Sequence, residues 1–258
     1  MNVLFAIAGV VITELCRRKD FYVLFILTAL ITLFAGAMNF FDEKNIVRYV
    51  KEIALHLIWF SSLVIAIPTA ARQIPAELEN KTLFPLLAKP VSRAQLVFGK
   101  FLGCWLACAV VLVVFYLFLG AISGAREHAW PLLSYVKAMG LHWFCLAIVI
   151  AMTLLGSVIF STPASNSTFT FIVVMAILLM GRYLNIIALQ LAEPGRTVLY
   201  TIYFAIPHLE WFNVGNLLVH DIKMVSWIDI AIAVAYAAVY SLFFLCVACQ
   251  ILKRKRLT

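Results

Sequence analysis

Six apolar runs, each long enough to cross the roughly 30 Å hydrocarbon core of a bilayer, constrain this chain more than any other feature. They cover about residues 21–41, 53–71, 101–122, 139–160, 167–190 and 229–251. Only 12% of the 258 residues are charged and 65% are hydrophobic, whereas a soluble domain carries about 25% charged residues. A transmembrane barrel would need alternation with a period of two, and no stretch shows it. The chain therefore reads as an all-α integral membrane protein, with residues 1–258 forming a single transmembrane domain. Arg182 interrupts the fifth run near one end, where its stem can snorkel to the headgroups.

The position of the charges sets the orientation. With a cytoplasmic N-terminus, the inner side receives Arg17, Arg18, Lys19, Arg72, Lys81, Lys89, Arg93, Lys100, Lys253, Arg254, Lys255 and Arg256. That is 12 of the 20 basic residues, accompanied by only 4 of the 12 acids (Glu14, Asp20, Glu77 and Glu79). The outer side is balanced, so the whole net charge of +8 lies on one face. Six spans with both termini inside satisfy this count. No basic stretch is interleaved with base-stacking aromatics outside the membrane runs, which argues against nucleic acid as a partner.

Residues 1–19 carry an apolar stretch too short to span. Their basic residues follow that stretch, the reverse of signal-peptide order, so an interfacial helix on the cytoplasmic face is expected. Five of the six cysteines lie in apolar runs. Cys246 and Cys249 are spaced C-x-x-C but lack the polar company of a zinc or redox site, and read as packing residues. His56 and His142 lie well inside spans; packing between helices is favoured for both over a proton or metal relay. Asp229 opens the sixth run and reads as its cap.

Two connections are long. The outer one, about 191–228, holds an apolar stretch ended by Pro207 and is expected to form one or two short helices. It carries metal-ligand residue types at His208, Glu210, His220 and Asp221, but no i,i+3 or i,i+4 pair joins the two groups. With Trp211, these residues read as a loop facing a partner or gate. The inner connection, about 73–100, is more ordered than a connector requires. Pro75 suits a first helical turn, Glu77 and Glu79 favour its positive end, and Glu77 and Lys81 are spaced i,i+4. After Pro85 and Pro90, a second helix opens with Ser92 and Gln95 as a capping box and Val91 with Leu96 as a hydrophobic staple.

"ENKTLFPLLAKPVSRAQLVFGKFLG" resembles the loop after the second span in permease subunits of ABC-2-type ABC transporters. "TELCRRKDFYVLF" is similar to that family's amphipathic lead-in to span one. The outer "IPHLEWFNVGNLLVHD" is similar to a stretch in permeases linked to multicopper-enzyme maturation. The resemblance implies a coupling helix around Glu77–Leu87 that seats in a separate ATPase subunit. Glu77, Glu79, Asn80, Lys81, Thr82 and Leu83 would make the contact, with Ser92, Arg93 and Gln95 in support. It also implies pairing with a second copy or a similar permease, a bilayer setting among membrane lipids, and an envelope or periplasmic partner for the outer loop. ATP and Mg would be bound by the ATPase, with no cofactor in this chain. The phosphate-cradling G-x-x-x-x-G-K-[ST] is absent: Gly99-Lys100 is followed by Phe101, and Ala94 stands where the first glycine belongs. Three alternatives remain open at this stage. One is a membrane-embedded enzyme using the outer histidines and acids. The second is an ion-coupled carrier, disfavoured by spans without central acids. The third is an anchor that only transmits ATP-driven motion.

Overall fold

A computed structural model describes residues 3–17, 19–37, 43–79, 92–127, 132–213 and 226–254. The helices are α1 (Val3–Arg17), α2 (Lys19–Ala37), α3 (Glu43–Ala71), α4 (Pro75–Glu79), α5 (Arg93–Glu127), α6 (Leu132–Ile159), α7 (Pro163–Gln190), α8 (Gly195–Ala205) and α9 (Trp227–Arg254). A 3₁₀ turn covers Leu209–Phe212, and no strand occurs among the described residues. Among the described residues, five stretches are long and apolar enough to cross a membrane: Arg48–Glu77, Arg93–Ala125, Leu132–Ile159, Pro163–Gly181 and Trp227–Arg254. The first expected run corresponds to α2, which is not among those five.

Local chemistry accounts for the helix starts. The Ser92 backbone N–H donates to Gln95 Oε1 at 2.8 Å, and the Gln95 N–H donates to Ser92 Oγ at 3.2 Å. This is the reciprocal capping box, and it opens α5 at Arg93. Val91, the expected staple partner of Leu96, lies outside the described residues. Helix α7 opens on Thr162, whose hydroxyl accepts from the Ser165 N–H, with Pro163 in the first turn where its missing donor is harmless. Pro207 lies just beyond the end of α8 and opens the way to the 3₁₀ turn, as its lack of an N–H requires.

The central helix is α6, with 17 of its 28 residues buried. It packs against α3, α5, α7 and α9. Polar side chains tie these neighbours together where water is excluded. Trp105 and Trp143 exchange indole N–H bonds with each other's carbonyl oxygen, at 3.0 and 2.9 Å, and their rings stack 4.2 Å apart. His142, fully buried, bonds Ser62 Oγ at 2.9 Å and Tyr116 Oη at 3.3 Å and stacks on Trp59. The expected packing role of His142 is thus observed. His56, expected to pack between helices as well, is instead exposed, its ring nitrogen 2.7 Å from the Glu52 carbonyl one turn back in the same helix. Asn166 is buried between α6 and α7, donating to the Thr153 carbonyl and accepting from Thr170. It sits so close to Gly156 that a Cβ there would land on its amide oxygen.

Helix α1 lies along α5. A Cβ on Gly103 would stand 2.8 Å from Val11 Cβ and 2.9 Å from Ala8 Cα, and one on Gly99 would meet Ile7 at 3.1 Å. The two glycines, spaced i,i+4, are the groove that receives Ile7, Ala8 and Val11, all buried. Outer faces of α2, α7 and α9 expose large apolar side chains such as Ile26, Ile172 and Phe243. A soluble fold would bury that surface; a bilayer protein leaves it to lipid or to another chain.

Candidate functional site

The helix ends sort into two groups. At one end, α1, α4, the start of α5 and the end of α9 converge. Arg72, just after α3, reaches Glu14 of α1 at 3.1 Å. Glu77 of α4 pairs with Lys100 of α5 at 2.5 Å, and both side chains are largely buried, at 14% and 7% exposure. Arg93, at the start of α5, donates to the Leu252 and Lys253 carbonyls at 2.6 and 3.0 Å. Those carbonyls belong to the last turn of α9, where a guanidinium satisfies orphan acceptors and opposes the negative end of the helix dipole.

Two of these links fasten the margins of the 80–91 connection, α4 to α5 through Glu77 and the first turn of α5 to α9 through Arg93, and the third ties the turn before α4 to α1. Of the expected contact residues, Glu77 faces α5 and is committed to Lys100. Glu79 ends α4. Asn80, Lys81, Thr82 and Leu83 lie outside the described residues, and with them the Glu77–Lys81 pair. Ser92 and Gln95 do cap the following helix, and Arg93 supports it through α9. Sequence reasoning missed Lys100 and Arg72. The available signal was a lysine in the second turn of a span and an arginine at the end of another, both requiring a partner when drawn toward apolar surroundings.

At the opposite end, Ser123 and Tyr135 hydroxyls meet at 2.5 Å, and Lys137 lies over the Trp227 ring. Here the outer-loop residues are found. The His208 backbone N–H donates to Tyr236 Oη at 2.8 Å, its ring lies 3.2 Å from the same hydroxyl, and Tyr203 meets the imidazole edge-on. Trp211 packs on Tyr236, ring centroids 5.0 Å apart, while remaining half exposed. His220 and Asp221 lie outside the described residues. Among the described residues no group of three His, Cys, Asp or Glu is placed to hold a metal ion.

Glu210 has a different environment from His208. It borders a cavity of about 710 Å³ between α3, α7 and the 3₁₀ turn, which Glu52, His56, Trp59 and Phe60 also line. This cavity was not foreseen. Its signal in the sequence is weak: Glu52, His56 and Phe60 recur at four-residue spacing on one face of α3.

A chain of long apolar helices like this one has a counterpart among known proteins. A family model described as "ABC-2 family transporter protein" matches residues 6–248. The chain belongs to the ABC-2 transporter family. It is a membrane protein, with the permease character of that family's transmembrane components. No curated protein matches the chain.

Proposed function

We propose that this ABC-2 family chain is one half of an ATP-driven transporter, worked by a separate ATPase subunit that docks on the 77–87 segment. The observation that carries this reading is the anchoring of the segment's margins. A connector that only joined two helices would need a handful of residues. Here a buried ion pair from Glu77 to Lys100 and a guanidinium clamp from Arg93 to α9 hold the margins to two different helices. A push on the segment therefore reaches the bundle directly. Within it, Glu77 anchors the base, while Glu79, Asn80, Lys81, Thr82 and Leu83 carry the contact. ATP and Mg belong to the partner, and this chain is the non-catalytic component.

The proposed layout has six spans, α2 serving as the first, with both termini in the cytoplasm of a cell whose plasma or inner membrane holds the protein. The clustering of Arg72, Arg93, Lys100, Lys253 and Arg254 at one end of the bundle supports that orientation. Two such chains, or this chain with a similar permease, pair through exposed apolar faces. Closure of the two ATPases then brings the coupling segments together and opens a route between the subunits toward the outside. His208, Glu210, Trp211, His220 and Asp221 gate the outer end or meet an envelope partner.

The test is a mild-detergent purification of the tagged chain from its native membrane. An ATPase subunit with vanadate-sensitive activity is expected to accompany it, and to be lost in a Glu77→Lys, Glu79→Lys variant that still migrates as a folded membrane protein. A clean preparation without any ATPase would overturn the proposal. Replacing His208 and His220 together is expected to leave that assembly intact.

A further inference from the structure

We propose that the cavity between α3, α7 and the 3₁₀ turn is a binding site for an amphipathic organic cation, one apolar body bearing a single ammonium or phosphonium charge. The inference rests on the transporter reading only for its biological use; the binding itself does not depend on it. At about 710 Å³ the cavity has the size of a small-molecule site, since such sites run to about 300–1,000 Å³.

Its chemistry selects the charge. Two carboxylates, Glu52 and Glu210, line it, and among the described residues neither a lysine nor an arginine does. One oxygen of Glu210, Oε2, is buried without a hydrogen-bond partner. That oxygen is turned away from the cavity toward α7, where a Cβ on Gly181 would stand 3.3 Å away, so Glu210 acts on the cavity through its charge. Burying a carboxylate with one oxygen lacking a donor is costly, and a positive charge held nearby offsets that cost. A cation in the cavity supplies it, whereas an anion adds to the negative charge.

Geometry selects the body of the ligand. Three metal-ligating side chains do not converge anywhere among the described residues, so a bare divalent ion is not the fit. The remaining walls are apolar and aromatic, including Trp59, Phe60 and Leu178. Trp59 is held in place by stacking on the buried, hydrogen-bonded His142, ring centroids 4.5 Å apart at 8°. Phe60 is braced edge-on by Phe171 of α7. Fixed aromatic rings beside carboxylates are the means by which weakly hydrated organic cations are recognised.

The test uses two ions of nearly identical shape and opposite charge, tetraphenylphosphonium and tetraphenylborate. Each is equilibrated by dialysis against the full chain in phosphatidylcholine nanodiscs, with empty nanodiscs subtracted. Saturable binding is expected for the cation alone, weakened about tenfold by Glu210→Gln and further by adding Glu52→Gln. Ile53→Trp, which fills the cavity without touching charge, is expected to abolish it. Equal saturable binding of both ions, no saturable binding of the cation, or full binding by the double Gln variant would each overturn the proposal. None of these results bears on whether an ATPase docks at the other end, so the two readings fail separately.

Discussion

Removing Lys100 isolates the energetics that hold α4 to α5. At 2.5 Å the Glu77–Lys100 attraction is about 7 kcal/mol gross for an effective dielectric of about 20. Drawing two ions out of water costs several kcal/mol each, so the pair as a whole contributes little more than packed apolar residues would. The single substitution is different. Lys100→Met leaves the Glu77 carboxylate at 14% exposure with its cation gone, a loss of about 3–5 kcal/mol for a buried pair. Residual exposure places Glu77 at the lower end, about 3 kcal/mol, which is about 100-fold in a local opening equilibrium. Ile74, almost fully buried at the base of α4, keeps the segment attached, so the effect stays local.

The assay is hydrogen exchange in detergent. The Ala76 amide, bonded to the Arg72 carbonyl at 3.0 Å, and its neighbours through Glu79 report α4. Lys100→Met is expected to speed their exchange about 100-fold, with no comparable change at Leu146 or Ile150 in α6. The double variant Glu77→Leu, Lys100→Met is expected to recover most of the protection, as is the charge reversal Glu77→Lys, Lys100→Glu. Unchanged exchange in the single variant, or a double variant as fast as either single, would refute the reasoning that this pair anchors the segment.

Gly103→Leu drives a side chain into the α1 backbone at Ala8 and is expected to cost about 1–3 kcal/mol, seen as a lower thermal unfolding midpoint. Gly9→Ala and Gly120→Ala, whose Cβ would meet nothing within 4 Å, serve as controls and are expected not to lower the midpoint. His142→Ala opens a hole against Trp59 and strips Ser62 and Tyr116 of a shared partner, a loss of about 3 kcal/mol in unfolding assays. Loss of transport in a fully stable His142→Gln protein would instead assign that histidine to a relay. Arg93→Ala removes two bonds to the last turn of α9 and is expected to fray it, read as faster tryptic cleavage at Lys253 and Arg254.

Much of the fold was legible because it rests on one-dimensional patterns. Apolar runs located the helices, although α3 and α5 begin about ten residues upstream of theirs, since hydropathy marks hydrocarbon and the helix ladder continues into the polar surface. The Ser92–Gln95 cap was legible because its partners are three residues apart. What escaped were pairings set by the bundle's geometry. Glu14 with Arg72 and Arg93 with Leu252 join residues 58 and 159 apart in sequence, and no local spacing announces them. The cavity is likewise assembled from α3, α7 and the 3₁₀ turn, so Glu52 and Glu210 become neighbours of one space only after folding. His208 and Glu210, two residues apart, looked alike in the sequence. The 3₁₀ turn separates them, one onto Tyr236 of α9 and the other toward α7.

The stretch "GKFLG" at 99–103 joins these observations into one mechanical argument. Its two glycines lie on one face of α5 and receive α1, because only a missing Cβ allows Ala8 so close. The lysine between them, about 100° around the helix from Gly99, holds Glu77 of α4. A single turn of α5 thus bears α1 on one side and α4 on the other. Arg72, continuous in sequence with α4, closes the loop by binding Glu14 of that same α1. A displacement of α4 along its own axis cannot be absorbed by α5 alone, since α1 is wedged against the same turn and tied to the same loop. The three elements move as one body, or Glu14, Glu77 and their cations must part. Either outcome couples α4 to the position of α1.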